Sequence, residues 1–414
     1  MKTNEMKKKL LIEDISTITL TSLCFILMFS YSVARVSITS LLLEEFVNES
    51  LSVIFPYAWI TTGITTFFVV IIYNNLSYRY SLMKLYYTFS LFSGVVFIFL
   101  FLLYDFNPKV FIFLLYIWKE TYIIVLVKLF WSFWALTFDS QVASMKYRLF
   151  SIIGTLGATG GDLLIGRMAS IWGTYNALFI VFPSLLICSS IALKINFLFK
   201  HKRTRQISEG NFLSSIKVVW NSKYLVPLAL LMCILQLSTT VIEYKYNFTL
   251  KMAYPELDQR TDISGMIQAL INILTLFILI LTPNMIKKIG ISGILITIPI
   301  TLSILIISFS LNPSMTNIVV LRIFSKVACY SLFRGAKELL YIPLDKEEII
   351  HGKSFIDMFG FRSSQAFTSL LVMVLANLNL EQLILISLIM FQVVWVLLTF
   401  LIIKRFNELN HERY

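Results

Sequence analysis

Long apolar runs alternate with short polar breaks from one end of this chain to the other. They fall at about 16–37, 51–73, 84–104, 121–138, 149–171 and 174–195. After a polar, basic interruption they resume at about 225–248, 264–282, 290–311, 316–333, 358–377 and 381–403. Most approach the ~20 residues a helix needs to cross the hydrocarbon core of a bilayer. The pattern predicts an all-α integral membrane protein of about twelve transmembrane helices in two six-helix halves. The halves span 16–198 and 225–403, a basic linker covers 199–224, and 1–15 and 404–414 form the ends. The first run follows Lys7-Lys8-Lys9 but exceeds a secretory signal core and lacks a small-residue cleavage pattern, so it reads as a permanent span. No catalytic domain fits in what remains, and the chain is read as a non-enzyme.

Composition excludes the other broad classes. Of 414 residues, 57% are hydrophobic and 14% charged, against roughly 25% charged in a soluble domain. Cys24, Cys188, Cys233 and Cys329 are scattered through apolar stretches, which excludes a disulfide scaffold. The formal net charge of +12 does not point to nucleic acid once its placement is considered. With a cytoplasmic N-terminus, the inner segments hold twenty-three lysines and arginines, against Lys109, Lys119, Lys251 and Arg260 outside. The positive-inside rule then puts both termini in the cytoplasm. Short basic turns recur in equivalent places, YRYSLMK at 78–84 and IKKIGIS at 286–292. Two related six-helix halves are a major-facilitator-like arrangement, with a substrate site expected near mid-membrane.

Motifs of soluble chemistry are near-misses. HGKS at 351–354 has the tail of a phosphate loop, but Glu347 stands where the leading glycine belongs. GTLGATGG at 154–161 lies within a span and reads first as close helix packing through small residues. His201, His351 and His411 fall in loops or tails, so no metal or cofactor is expected.

The informative residues are charges inside apolar runs, each costing several kcal/mol unless paired or hydrated. They are Arg35, Lys128, Asp162, Arg167, Glu243, Lys245, Arg322, Lys326 and, at the start of span 11, Arg362. Arg35, Arg167 and Lys245 have a snorkelling alternative, and Arg322 and Lys326 share one helix face near a span end. Cations outnumber anions seven to two, which favours an anionic substrate.

The stretch SKVACYSLFRGAKELLYIPLDKEEIIHGKSFIDMFGFR at 325–362 closely resembles the signature of the ATP/ADP translocase, or TLC-type nucleotide transporter, family. Ser325, Lys326, Tyr330 to Phe333, Lys337, Glu338, Tyr341 to Asp345, Gly352, Lys353, Ile356 and Asp357 carry the match. YSVAR at 31–35, LFWSFW through KYRLF at 129–150, and VIEYKYNFTLKMAYP at 241–255 extend it in the family's order. The resemblance implies a short, divergent nucleotide carrier in the inner membrane of an intracellular bacterium. Of four charged substrate positions that it implies, Glu243 is retained, while Ile38, Leu136 and Gln365 stand at the other three. Those replacements remove charge-assisted contacts, so the resemblance supports a nucleotide or related anionic metabolite without fixing ATP/ADP exchange.

The sequence therefore predicts a monomeric secondary transporter working by alternating access, with the lipid bilayer and a small anionic substrate as its partners. Its substrate-binding candidates are Arg35, Lys128, Asp162, Arg167, Glu243, Lys245, Lys326 and Gln365. The alternative is a proton-coupled importer of a different small metabolite, using Asp162 and Glu243. Arg334, Lys337, Glu338, Asp345, Lys353 and Arg362 are candidate gating residues, expected to exchange ion pairs in a cytoplasmic loop. Lys245 sits about 200° around the helix from Glu243, so a cation on another span is expected to pair with Glu243. Arg35 is the first candidate and Lys326 the second.

Overall fold

A computed structural model describes residues 2–46, 51–77, 79–137, 140–198, 212–345, 348–353, 356, 361–378 and 380–413. Nearly all are helical: α1 (Lys2–Glu45), α2 (Leu51–Ser77), α3 (Leu82–Leu102), α4 (Pro108–Thr137), α5 (Ser140–Trp172), α6 (Thr174–Ala177), α7 (Val181–Leu198) and α8 (Phe212–Asn221). Then follow α9 (Leu225–Ala253), α10 (Leu257–Leu311), α11 (Met315–Ala328), α12 (Arg334–Leu340), α13 (Phe361–Asn377) and α14 (Glu381–Arg413). Among the described residues, ten helices are long and apolar enough to cross a membrane, and Ser364–Asn377 is a shorter apolar helix. The longest of the ten, α10, contains two of the expected runs. They break at Gly290, whose φ of 74° and ψ of 170° suit a residue without a Cβ. The fold is thus an all-α membrane architecture of about ten to twelve apolar helices.

One boundary differs from expectation. With its apolar run starting at about 121, the fourth span leaves Lys119 in an outer segment. The structure puts both residues inside α4, with Lys119 buried. Its ammonium bonds Glu120 Oε1 at 2.7 Å and lies 4.0 Å from the Tyr116 ring centroid. This local pairing offsets the cost of burying the charge.

The chain divides into two compact units. Unit 1 comprises Met1–Val47, Thr61–Ile207 and Glu256–Asn272, and unit 2 comprises Asn48–Ile60, Ser208–Pro255 and Ile273–Tyr414. In unit 1, α1 packs closely on α5, and the glycines of the 154–161 stretch make this approach feasible. A Cβ on Gly161 would lie 2.6 Å from the Phe29 carbonyl oxygen, and one on Gly157 would meet the Phe25 backbone. Small residues let two helices approach where lipid supplies little hydrophobic drive for association. In addition, α3 and α7 are tied by Ser90 and Ser189 hydroxyls, which donate to the Leu185 and Tyr87 carbonyls at 2.9 Å.

In unit 2, α9 is the central element, packed by α11, α13 and α14. Trp395 is fully buried against Phe333, and Gln392 Nε2 donates to Ser238 Oγ at 2.7 Å. Between α11 and α12 the ladder widens into a π-helical turn at Cys329–Phe333, inside the stretch that carries the family resemblance. Such turns are often found at functional sites.

Candidate functional site

Unit 1 brings two of the predicted substrate residues together. Arg35 on α1 donates through Nη2 to Asp162 Oδ1 on α5 at 3.1 Å. Asp162 is fully buried, and Asn272 Nδ2 on α10 donates to its Oδ2 at 2.7 Å. The Arg35 guanidinium lies 5.5 Å from the Tyr31 ring, and the Tyr31 hydroxyl reaches Glu120 at 3.4 Å. Charged and amide donors from two helices thus fix this carboxylate in one orientation. Gly265 makes the approach of α10 feasible, since a Cβ there would lie 2.5 Å from the Asp162 carbonyl oxygen.

The same segment of α10 makes a second set of links within unit 1. Arg260, expected in an outer loop, is instead a fully buried residue of α10. Its Nη2 bonds Glu44 at 2.7 Å and the Ser40 carbonyl at 3.1 Å. Nearby, the Thr174 backbone N–H and hydroxyl both donate to Asp258 Oδ1, at 2.7 and 2.8 Å.

Unit 2 holds the other cluster. Glu243 on α9 accepts two bonds from Arg322 on α11, from Nε at 3.1 Å and Nη2 at 2.9 Å. Lys326, one turn further on α11, places Nζ 3.2 Å from the same carboxylate. The Arg322 guanidinium also lies 3.9 Å from the Tyr246 ring centroid. The expectation that Arg35 is Glu243's first partner is therefore corrected: Arg35 pairs with Asp162, and Arg322 takes that place beside the second candidate, Lys326. The reason is helical spacing. Positions 322 and 326 lie four apart and project from one face, so both reach one carboxylate. Sequence reasoning noticed that shared face but assigned it to a span end. The buried position of Arg322 shows its pairing role.

The remaining candidates are dispersed. Lys128 lies 5.0 Å from the Tyr73 ring and Lys245 lies 5.6 Å from the Tyr244 ring. Arg167 is exposed on α5, and Gln365 is half-buried on α13. Among the gating candidates, Lys353 and Lys337 share Glu338, at 2.5 and 3.8 Å. Arg334 and Asp345 are exposed, and the Arg362 side chain lies outside the described residues, as do Lys346 and Glu347. Tyr224 ties the start of α9 to the end of α12 through a 2.8 Å bond from its hydroxyl to the Leu340 carbonyl. Burial pushes the Tyr224 phenol well above the usual tyrosine range, so it remains a donor. Among the described residues, no group of three His, Cys, Asp or Glu is placed to hold a metal ion.

The sequence profile described as TLC ATP/ADP transporter matches residues 192–406, just over half of the chain. The chain belongs to this family. ADP,ATP carrier protein 1 of Chlamydia pneumoniae is 29% identical over 173 residues, 37% of this chain and 34% of that carrier. ADP,ATP carrier protein 3 of Rickettsia typhi is 24% identical over 347 residues, 70% of this chain and 69% of that carrier. ADP,ATP carrier protein 1 of Rickettsia bellii is 22% identical over 283 residues, 58% of this chain and 56% of that carrier. The chain thus spans about a third of the Chlamydia carrier and just over half of the Rickettsia bellii one. A solved bacterial homologue of the iron transporter ferroportin superposes with a TM-score of 0.70 at 12% identity, covering 93% of this chain and 98% of that one. This likeness shows the fold, which is of the major-facilitator type. Within this TLC family member, Glu243, Lys326 and the π-helical turn all fall inside the matched region.

Proposed function

We propose that this TLC family member is a secondary transporter that moves a nucleotide or a related anionic metabolite across the membrane by alternating access. Its two six-helix halves are 16–198 and 225–403, with both termini in the cytoplasm. The observation that carries the reading is the sharing of one carboxylate, Glu243, by two cations, Arg322 and Lys326, inside membrane-spanning helices. Within that triad the charge does not balance, and a substrate phosphate is the natural group to complete it. Arg322 offers the planar fork suited to phosphate, and Lys326 supplies a point charge beside it. Glu243 holds both cations in place and competes with the substrate for them, so binding and release are coupled to the α9–α11 contact. Arg35 and Asp162 form a charge-balanced companion pair, and Arg35 is the residue there that would contact an anion.

The Glu338–Lys353 pair is proposed as the gate, with Lys337 as the alternative cation for the same carboxylate. It is supported by the 15-residue separation of Glu338 and Lys353, which lets one ion pair join α12 to the segment beyond Pro343. Lys128, Arg167, Lys245 and Gln365 remain candidates for peripheral substrate contacts.

A thermal-shift panel on the purified protein tests the substrate class. A ligand that binds only the folded state raises apparent stability by about 2.7 kcal/mol at a hundredfold excess over Kd. Nucleotides should stabilise the protein, and Arg322→Gln should abolish the shift. Stabilisation by amino acids or sugars alone would contradict the anionic reading.

A further inference from the structure

Helices α2, α3 and α4 of unit 1 enclose a groove of about 240 Å³ that plays no part in either charged cluster. Its walls are nearly all apolar and include Ile72, Tyr73, Leu76, Leu85, Phe92 and Leu129. The α2 and α3 contributions recur every three to four residues, so a continuous stripe of each helix faces the groove. Ile72 and Phe92, two of its lining residues, are more than half exposed, so the groove is partly open. In a membrane-spanning chain such a groove faces acyl chains, which fit it without loss of hydrogen bonds.

Charge at one end of the groove makes the occupant more specific. Arg79 donates its backbone N–H to the carbonyl of the lining residue Leu76 at 3.0 Å, and so sits where α2 ends. Lys84 precedes the lining residue Leu85, with its ammonium 4.7 Å from the Tyr80 ring. Both side chains are exposed. No aspartate or glutamate occurs anywhere in 51–104, the stretch that holds α2 and α3. Two cations, Arg79 and Lys84, therefore lie at the turn joining α2 to α3, at one end of an apolar groove. Arg79 and Lys84 flank the basic turn that the sequence assigned to the cytoplasmic surface, where anionic lipid concentrates.

We propose that this groove binds one anionic phospholipid, with an acyl chain along α2, α3 and α4 and its phosphate at Arg79 and Lys84. The ligand is a structural lipid, separate from the transported anion.

Native mass spectrometry of the full chain, extracted from bilayers of equimolar phosphatidylglycerol and phosphatidylcholine, tests the assignment. The unmodified protein should retain one phospholipid, with phosphatidylglycerol enriched several-fold over phosphatidylcholine. R79Q/K84Q changes only exposed side chains and should lose that enrichment while still retaining a lipid. T88W, which fills the groove from α3, should lose the bound lipid. Equal retention of both lipids by the unmodified protein would overturn the proposal. So would enrichment that survives R79Q/K84Q, or inorganic phosphate that displaces phosphatidylglycerol. If T88W does not fold, the comparison of R79Q/K84Q with the unmodified protein decides the matter.

Discussion

Removing the Glu243 charge should separate structural from transport roles. Glu243→Gln keeps the shape and leaves one acceptor oxygen, but two cations then face a neutral amide. The Arg322 side chain is 6% exposed and that of Glu243 24%, so water replaces the lost carboxylate only in part. The two Arg322 bonds, at 3.1 and 2.9 Å, are charge-assisted. Breaking one side of a buried ion pair costs about 3–5 kcal/mol, most of it from the charge left behind. The substitution should therefore lower the thermal unfolding midpoint of the purified protein markedly. Glu243→Gln combined with Arg322→Gln removes one uncompensated cation and should recover most of that loss. Transport should not recover, because the double variant lacks the guanidinium proposed to bind phosphate. Unchanged stability in the single variant would refute the energetic argument. Recovery of transport together with stability in the double variant would reduce the cluster to scaffolding.

Other predictions follow from the same geometry. Gly161→Leu drives a side chain into the Phe29 backbone and should cost at least the ~1–3 kcal/mol typical of overpacking, read as lost folded yield in detergent. Arg260→Gln forfeits charge-assisted bonds worth about 1.5–3 kcal/mol each, so heating should expose labelled cysteines placed near Glu44 at a lower temperature than in the unmodified protein. Glu338 is half exposed, and surface ion pairs contribute about 0–1 kcal/mol. Exchanging the charges as Glu338→Lys with Lys353→Glu should therefore leave the unfolding midpoint unchanged. If the pair is a gate, each single change should slow transport and the exchange should restore it, whereas equal loss in all three would refute mutual pairing.

Much of the architecture was legible because a span announces itself through twenty apolar residues in a row. The break in α10 was visible in IKKIGIS, where Gly290 takes the positive φ that turns the chain. Helix α4 was misjudged because Lys119 and Glu120 neutralise each other locally, so an interruption in hydropathy is not an interruption in the helix. The cluster in unit 2 was half legible. Glu243 and Lys326 could be named from their motifs, but Arg322 and Glu243 lie 79 residues apart, and the contact depends on how α9 and α11 pack. Arg35 and Asp162, 127 residues apart, were both named without their pairing being foreseen. Asn272 carried no signal, because a neutral amide in an apolar run is unremarkable until a buried carboxylate is found beside it.

The central claim is that Arg322 and Lys326, held by Glu243, bind the phosphate of a transported nucleotide. Uptake of radiolabelled nucleotides into vesicles reconstituted with the purified protein tests it most directly. The unmodified protein should accumulate at least one nucleotide, and unlabelled nucleotide on the opposite side should show whether transport proceeds by exchange. Arg322→Gln, with its folded fraction matched, should lower kcat/KM by roughly 10- to 150-fold, the equivalent of about 1.5–3 kcal/mol for a charge-assisted contact. Nucleotide uptake at the unmodified rate in folded Arg322→Gln would contradict the account, as would a protein that moves only neutral metabolites in step with a pH gradient.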